Sequence, residues 1–309
     1  MIQNAFKTSR KMLKGNLHTH TNRSDGKLSP EDVINLYKEN GYNFLALTDH
    51  RYYNFTNSMP DLGLTIIPGM EFDNGKHIPC EYGYRTFHTV CLGSDDKEIN
   101  GFSDGFRVNS ANAENQEEYQ EYLDDIHSKN NITIYCHPEW SATPARYFDK
   151  MRGNTAMEIW NSACAIKYDL DKDAAYWDEL LGMGIKLFGV ASDDGHNVDT
   201  YCKAWIMVNA ENNVKSILEA IKQGAFYSST GPEIYDFRIE DGIVKIKCSP
   251  AKKIRIQSDA HRPLIKKTTT DYFTSFEYPI NCDDYSYVRA TVIDKDDRFA
   301  WTNPIFIEK

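Results

Sequence analysis

Short apolar runs alternate with amphipathic segments along residues 1–230 of this chain. The runs carry few charges in their interiors, which is typical of parallel strands that are buried on both faces. Most of them end in polar residues. After a first short strand within GNLHTHTNRSDG, the predicted strands are NFLALTDH, LTIIPGMEF, RTFHTVCLG, ITIYCHP, TAMEIWN, IKLFGVASDDGH and AWIMVNA.

Helix signals lie between several of these strands. Ser29 is a suitable N-cap, Pro30 fits the first helical position, and the two acids that follow suit the positive end of the helix dipole. This helix is predicted to end at Gly41, in the left-handed conformation that is common after a helix. Three more helices are predicted, in an acid-rich segment at 114–128, in DKDAAYWDELLGMG and in NNVKSILEAIKQG.

Strands that alternate with helices predict an α/β fold with a parallel sheet and right-handed crossovers. About seven such strands with polar carboxyl ends favour a (β/α)7 barrel over an open sheet, because a barrel gathers its active site at that end. Past Gly231 and Pro232 the pattern changes to alternating strands, beginning with FRIEDGIVKIKCSP around an Asp-Gly turn. We therefore predict a barrel domain at 1–230 and a small antiparallel β domain at 231–309.

The residue composition and net charge argue against some classes of function. Hydrophobic residues make up 41% of the chain and charged residues 26%, which is ordinary for a soluble globular protein. The formal net charge of −10 argues against binding extended duplex nucleic acid. No signal-peptide core and no run of about 18 apolar residues is present, so we expect a cytosolic protein without membrane association. The oligomeric state is left open.

The cysteines predict neither disulfides nor a zinc finger. Their number, seven, is odd, they are scattered, and none is in C-x-x-C spacing. Several lie inside apolar runs, so we interpret them as small buried hydrophobic residues.

The strongest chemical signal is the pair His18 and His20 at the end of the first strand. Alternate residues of a strand point to the same side, and imidazole is the commonest metal-binding side chain. Asp25 follows on a Ser-Asp-Gly turn, and further donors stand at later strand ends. The candidate ligands are His18, His20, Asp25, His50, Glu71, His88, His137, Asp194 and His196.

Nine ligands are too many for one ion, since zinc-like sites take about four to six. A cluster of two or three divalent ions is implied, with Glu71 as a bridging carboxylate; manganese, iron and zinc all suit such ligands. Two ions about 3.5–4 Å apart can activate a bound water and hold both ends of an in-line displacement, so no side-chain nucleophile is needed. We assign His127 and His261 to other roles, and His77 to the surface or to substrate contact.

Other acids near the strand ends have supporting roles. Asp49 is predicted to orient the adjacent His50 rather than to bind metal. Asp193 could orient a ligand or serve as the acid that protonates the leaving group. Glu158 and Asn161 could line the site or make structural hydrogen bonds.

Phosphate is usually bound by arginine in forked geometry. Arg51, directly after His50, is the best-placed candidate for catalysis and substrate binding. Arg23, Arg85 and Arg146 lie on segments expected near the mouth of the site.

The motifs H-T-H, S-D-G, T-D-H, G-M-E, a following F-H, C-H-P and D-x-H, in this order, resemble the polymerase and histidinol phosphatase (PHP) superfamily over residues 15 to about 230. The resemblance implies a distorted seven-stranded barrel, a centre of two or three manganese, iron or zinc ions, and phosphoester hydrolysis. The family's ligand pattern carries over onto the nine residues above, with Asp25 where many members have histidine. The D-x-H spacing selects Asp194 over Asp193. The C-terminal segment resembles the carbaryl-hydrolase branch, which implies a different substrate class.

We therefore predict a metal-dependent phosphatase that acts on a small phosphomonoester or a nucleotide. Two alternatives remain at this stage. One is a metal-dependent hydrolase of a carbamate or amide bond, and the other is a non-catalytic, metal-binding regulatory module.

Overall fold

The computed structural model describes residues 2–4, 12–74, 78–80, 83–96, 98, 102, 112–148, 150–260, 263–268 and 270–308, with the backbone alone described for 2–4, 78–80 and 83–85. The helices of these residues are α1 (Pro30–Glu39), α2 (Gln116–Ser128), α3 (Ser162–Tyr168), α4 (Asp173–Gly182) and α5 (Val214–Lys222). Single 3-10 turns lie at Thr56–Ser58, Ala145–Tyr147 and Cys282–Asp284. None of the described helices is long and apolar enough to cross a membrane.

Strands make up most of the rest of the fold. As far as Ser229 they are β1 (Ile2–Asn4), β2 (Leu13–Asn16), β3 (Phe44–Ala46), β4 (Thr65–Ile67), β5 (Gly69–Asp73), β6 (Ile78–Cys80), β7 (Gly83–Arg85), β8 (His88–Leu92), β9 (Ile132–Tyr135), β10 (Ala156–Asn161), β11 (Phe188–Ser192), β12 (Trp205–Val208) and β13 (Phe226–Ser229). The later strands are β14 (Ile234–Glu240), β15 (Ile243–Ala251), β16 (Lys253–Ser258), β17 (Leu264–Lys267), β18 (Phe273–Pro279), β19 (Tyr287–Ile293), β20 (Phe299–Thr302) and β21 (Ile305–Phe306).

The described strands lie in separate sheets rather than in one closed barrel. A ten-stranded sheet contains the path β17-β16-β19-β20-β13-β12-β2-β3-β4, with β21 beside β19. A five-stranded sheet has the order β11-β10-β9-β8-β5, and a four-stranded sheet the order β1-β14-β15-β18. The fold is mixed α/β, as predicted, but the seven-stranded (β/α)7 barrel is not confirmed.

The prediction of a parallel sheet holds for only some of the pairs. The pairs within β2-β3-β4 and within β9-β10-β11 are parallel. By contrast, β8 is antiparallel to both β5 and β9, and β2 is antiparallel to β12. Between β5 and β8 the described residues include the antiparallel pair β6–β7, and none of them forms the helical crossover that usually joins parallel strands.

The capping residues in the sequence predicted helix α1 correctly. The Ser29 side chain accepts from the N–H of Asp32, Pro30 is the first helical residue, and Gly41 has a φ of +77°. The predicted strand LTIIPGMEF is wrong as a single strand, because β4 and β5 lie on either side of Pro68 and belong to different sheets. Proline has no N–H to donate to a sheet ladder, so it marks such a break. Helix α3 and strand β13 were not predicted.

The C-terminal strands are antiparallel, as predicted. The hairpin β14–β15 turns at Asp241 and Gly242, whose φ values are 50° and 74°. Positive values at both positions fit a tight hairpin turn. Strand β13 pairs with β20, so the ten-stranded sheet continues across residue 230. The domain division at 230 therefore stays a prediction.

The described cysteines are consistent with the interpretation drawn from their spacing. Their thiols, at 91, 136, 164, 202, 248 and 282, are free. Four of the six, at 91, 136, 164 and 248, are buried.

A buried ion pair connects the C-terminal strands to helix α4. Arg289 on β19 has a fully buried side chain, and its Nε and Nη2 lie 2.7 and 2.6 Å from the carboxylate oxygens of Asp178. The guanidinium also lies over the ring of Trp177, 4.6 Å from its centroid. Loss of the arginine would leave a partly buried carboxylate without its cation.

We predict that Arg289→Ala lowers the free energy of unfolding by about 3 kcal/mol, the cost typical of breaking a buried pair. Urea unfolding followed by circular dichroism measures it. Lys295→Ala is the matched control, because its pair with Asp296 is exposed and such pairs contribute little. Equal effects of the two substitutions would contradict this prediction.

Candidate metal centre

Most of the nine predicted ligands lie at or just beyond strand ends, whereas Glu71 lies within β5 and Asp25 lies on a turn. Backbone hydrogen bonds align two of the segments that carry them. The N–H of Asp194 donates to the carbonyl of His18 at 2.9 Å, and the N–H of His20 donates to that of Gly195 at 2.9 Å. These bonds set the segment after β2 beside the segment after β11. His18 and His20 lie just beyond β2 rather than within it, and both of their side chains still face the same cluster.

The structure brings all nine side chains together, and Glu71 is at their centre. Its side chain is 1% exposed, and its two oxygens contact different sets of imidazoles. Oε2 lies 3.4 Å from His18 Nε2, 3.3 Å from His20 Nε2 and 3.0 Å from His50 Nδ1, whereas Oε1 lies 3.0 Å from His88 Nδ1 and 3.3 Å from His137 Nε2. This is the arrangement expected of a carboxylate that bridges two cations.

Two more carboxylates complete the cluster. Asp194 Oδ1 lies 3.3 Å from His18 Nε2, 3.1 Å from His20 Nε2 and 3.6 Å from His196 Nδ1. Asp25 Oδ2 lies 3.3 Å from His196 Nε2. Asp25 is the most accessible of the three acids, with a side chain that is 54% exposed.

The donor atoms fit divalent cations. His18 Nε2 and His20 Nε2 are 3.1 Å apart. Nδ1 of His18 lies 2.7 Å from a carboxylate oxygen of Glu158. The proton of neutral His18 therefore belongs on Nδ1, and Nε2 presents a lone pair. Nδ1 of His50 is buried without a hydrogen-bond partner in the described residues. Nitrogen and oxygen donors that face one another in this way suit manganese, iron or zinc.

The charges of the site favour a cation as well. Burial opposes protonation of the imidazoles, yet the carboxylates of Asp194, Glu158 and Glu71 raise the pKa of His18 well above its ordinary value. Despite burial, Asp194 and Glu71 also raise the pKa of His20 to about 10. Conversely, His18 and His20 outweigh burial and hold the pKa of Asp194 well below its ordinary value. The cluster therefore attracts protons or metal ions strongly.

Glu158 binds the imidazole of His18 and the backbone of His137. One of its oxygens is bonded to His18 Nδ1, which turns Nε2 toward the centre. The other accepts from the backbone N–H of His137 and from Asn161 Nδ2, each at 2.9 Å. Asn161 Nδ2 also lies 3.2 Å from Asp194 Oδ2. Of the two roles left open for Glu158 and Asn161, the structure thus shows supporting hydrogen bonds.

Asp49 supports a different histidine from the one predicted. It is fully buried and accepts from the N–H and Oγ1 of Thr21 at 2.7 and 2.8 Å, and from Ser24 Oγ at 2.8 Å. Its described contacts do not include His50. Ser24 Oγ lies 3.3 Å from Nδ1 of His20, so Asp49 orients His20 through the serine hydroxyl.

Asp193 has no access to the site as an acid, contrary to the prediction. Its carboxylate accepts from Tyr37 OH at 2.6 Å and from the backbone N–H groups of residues 202–204 at 2.8, 3.0 and 2.8 Å. Burial raises the pKa of Asp193 to about 6. Both residues lie beyond the end of β11, and Asp194 has a positive φ of 47°, so the two side chains diverge: Asp194 faces the cluster and Asp193 faces the core.

Three of the four predicted arginines, Arg23, Arg51 and Arg146, are not among the described residues that line the cavity over the cluster. Arg51 Nη1 lies 2.7 Å from Asp73 Oδ1, and Arg23 Nη1 lies 2.6 Å from Asn54 Oδ1. Arg146 lies over the ring of Tyr147. Arg51 and Arg23 thus bind neighbouring side chains rather than face the cavity, and for these two and Arg146 the predicted role in substrate binding is not supported. The side chain of Arg85 lies outside the described residues.

Three of the nine described non-glycine residues with positive φ lie at the centre. Non-glycine residues with positive φ include Arg51 (56°), His137 (30°) and Asp194 (47°), each at or beside a predicted ligand. Such conformations cost free energy and persist where the surrounding structure enforces them. They direct the ligand side chains out of the regular strand geometry.

A cavity of about 370 Å³ opens over the cluster. Its walls include seven of the nine ligands and five residues that sequence reasoning missed: Trp140, Ala163, Cys164, Lys167 and Tyr168. Four of these belong to helix α3, which follows β10 and was itself not predicted. The signal that was available is Asn161, which caps α3 by accepting from the N–H of Cys164.

Three histidines were not predicted as metal ligands. His127 Nε2 lies 2.7 Å from Thr133 Oγ1, away from the nine ligands. His77 and His261, for which surface, substrate or other roles were predicted, lie outside the described residues.

A family model of the PHP domain matches residues 16–228, which is well over half of the chain. The chain belongs to the PHP domain family. The match confirms the resemblance seen in the motifs, and it contains all nine residues of the cluster. The matched region ends just before the antiparallel C-terminal strands of this PHP protein. The resemblance of the C-terminal segment to the carbaryl-hydrolase branch therefore stays a prediction.

Individual relatives are more distant. The 3′,5′-nucleoside bisphosphate phosphatase of Chromobacterium violaceum is 35% identical over 83 residues, which are 26% of this chain and only 28% of that protein. A two-domain protein from Bacteroides vulgatus, containing a predicted PHP-like metal-dependent phosphoesterase, is 14% identical with a TM-score of 0.47, over 98% of this chain and 96% of its own. An amidohydrolase from Chromobacterium violaceum is 16% identical with a TM-score of 0.40, over 60% of this chain and 88% of its own.

We predict that Glu158→Gln weakens metal binding by roughly 10- to 100-fold, as loss of a partner that orients a ligand does. The amide cannot hold the proton of His18 on Nδ1 as the carboxylate does. Competition with a chromogenic chelator measures the affinity, and Glu117→Gln on the exposed face of α2 is the control. Unchanged affinity in Glu158→Gln would show that this carboxylate is only structural.

Proposed function

We propose that this PHP protein is a metal-dependent phosphoesterase that hydrolyses a small phosphomonoester. The observation that carries the proposal is the position of Glu71, whose two oxygens contact two different sets of imidazoles within one buried cluster. The nine converging residues would hold two or three divalent ions. Bound ions supply an activated water near neutral pH and stabilise charge on phosphate oxygens.

The protein's own groups prepare the site for this chemistry. Glu158 holds His18, and the pair Ser24 and Asp49 holds His20, so that donor atoms are fixed before a ligand arrives. Low exposure of Glu71 strengthens its electrostatic interactions. The more exposed Asp25 lies on the solvent side of the cluster, where substrate and water enter.

Two features support a small phosphorylated substrate. The cavity volume is about 370 Å³. A cavity of that size suits a small molecule rather than a polymer. The curated relative is named a 3′,5′-nucleoside bisphosphate phosphatase, and its matched segment supports a phosphoester as the bond cleaved. A phosphomonoester or a nucleotide fits both observations.

We predict that His18→Ala and Glu71→Ala each lose metal and lower kcat by at least about 100-fold, because each removes a donor shared by the centre. Elemental analysis measures the metal, and phosphate release from a panel of phosphomonoesters measures activity. His127→Ala is the matched control, with metal content and kcat expected near those of the wild type. Metal-free wild-type protein, or unchanged activity in both variants, would contradict the proposal.

The same protein distinguishes the alternatives. We expect manganese-loaded wild type to release phosphate from phosphomonoesters and to leave aryl carbamates intact. Activity on carbamates alone would replace the phosphoesterase assignment with that of a carbamate hydrolase. Bound metal without turnover of either class would indicate a regulatory module.

A further inference from the structure

Three residues at the mouth of the cavity have no role in binding metal. Trp140 lies on the turn after β9 and is 42% exposed, and Tyr168 ends α3 and is 59% exposed. Lys167, also exposed, belongs to the same lining. Aromatic rings kept at the rim of a polar cavity are typical of contact with a ligand.

Trp140 lies directly against the metal centre. Its ring centroid is 4.9 Å from that of His137 and 5.4 Å from that of His88. One part of the indole is therefore fixed by two candidate ligands, while the rest faces the cavity. A group attached to a phosphate at the centre would meet this exposed face.

Lys167 supplies a positive charge that Arg23, Arg51 and Arg146 do not bring to the cavity. Among the described residues that line the cavity, it is the one lysine or arginine, and the carboxylates of Asp25, Glu71 and Asp194 belong to the same lining. It makes no ion pair with a carboxylate in the described part of the chain. A lysine ammonium on a flexible stem suits a phosphate oxygen.

We propose that this cavity selects phosphomonoesters whose leaving alcohol carries a flat aromatic ring, which stacks on Trp140 and Tyr168 while Lys167 binds phosphate oxygen. This inference rests on the proposed phosphoesterase function and adds the recognition of the leaving group. In the reaction the P–O bond to the alcohol breaks, a water oxygen bonds to phosphorus, and one water proton ends on the alcohol. Stacking on aromatic side chains does not depend on one particular ring.

The test compares adenosine 5′-monophosphate with ribose 5-phosphate on the metal-loaded full chain. Both lose the same kind of primary alcohol, so they differ mainly in the aromatic base. We expect wild type to prefer the nucleotide in kcat/KM, and Trp140→Ala to lower kcat/KM for the nucleotide by about tenfold, the loss typical of one stacking ring. The loss for ribose 5-phosphate should be clearly smaller than that for the nucleotide, and Trp140→Phe should retain most of the preference. Tyr122→Ala, which changes an exposed aromatic residue on α2, is the control.

Lys167 is tested separately. We expect Lys167→Ala to raise KM for both substrates and Lys167→Arg to restore it. Unchanged KM for both substrates in Lys167→Ala would remove the lysine from the proposal.

A binding measurement separates failure of this inference from failure of the proposed function. Isothermal titration calorimetry should show that the nucleotide binds about tenfold more weakly to Trp140→Ala than to wild type. If no phosphomonoester is hydrolysed but this difference is found, the recognition stands and the phosphoesterase function falls. Equal turnover of both substrates, or equal losses for both in Trp140→Ala, would overturn the inference while the function stands.

Discussion

The rest of the site depends on one constraint, the burial of negative carboxylates among imidazoles that present lone pairs. Glu71 is almost fully buried and has imidazole nitrogens 3.0–3.4 Å from both of its oxygens. Burying charge in this way is costly unless cations compensate it. The carboxylates of Asp194 and Glu71 accordingly raise the pKa of His20 to about 10 despite its burial. Divalent ions would compensate the same carboxylates.

The supporting hydrogen bonds follow from this constraint. A ligand imidazole presents one nitrogen to a metal only if its other nitrogen has a fixed partner. Glu158 is that partner for His18, and the chain from Ser24 to Asp49 serves His20. The buried ion pair of Arg289 and Asp178 connects the C-terminal strands to α4. Helix α4 follows α3, the helix that lines the cavity.

Sequence reasoning singled out the nine side chains of the cluster because few residue types can bind such ions. Residue type and local pattern were enough, although Glu71 lies inside β5 and His88 begins a strand that is antiparallel to its neighbours. It failed for Arg51 and Arg23 because charge alone does not reveal a side chain's partners. Asp73 and Asn54 bind these two arginines, and both partners come from other parts of the chain. It missed Trp140 and Lys167 because exposure at a cavity rim has no local signature.

The sequence by itself determined the family, the helix α1 with its cap, the C-terminal hairpins and the nine donors that form the cluster. These features depend on residue type and short-range spacing. The tertiary structure decided which pairs of strands are antiparallel, the break of one predicted strand at Pro68, the opposite orientations of Asp193 and Asp194, and the composition of the cavity wall. These features depend on contacts between residues far apart in the chain, which spacing alone does not specify.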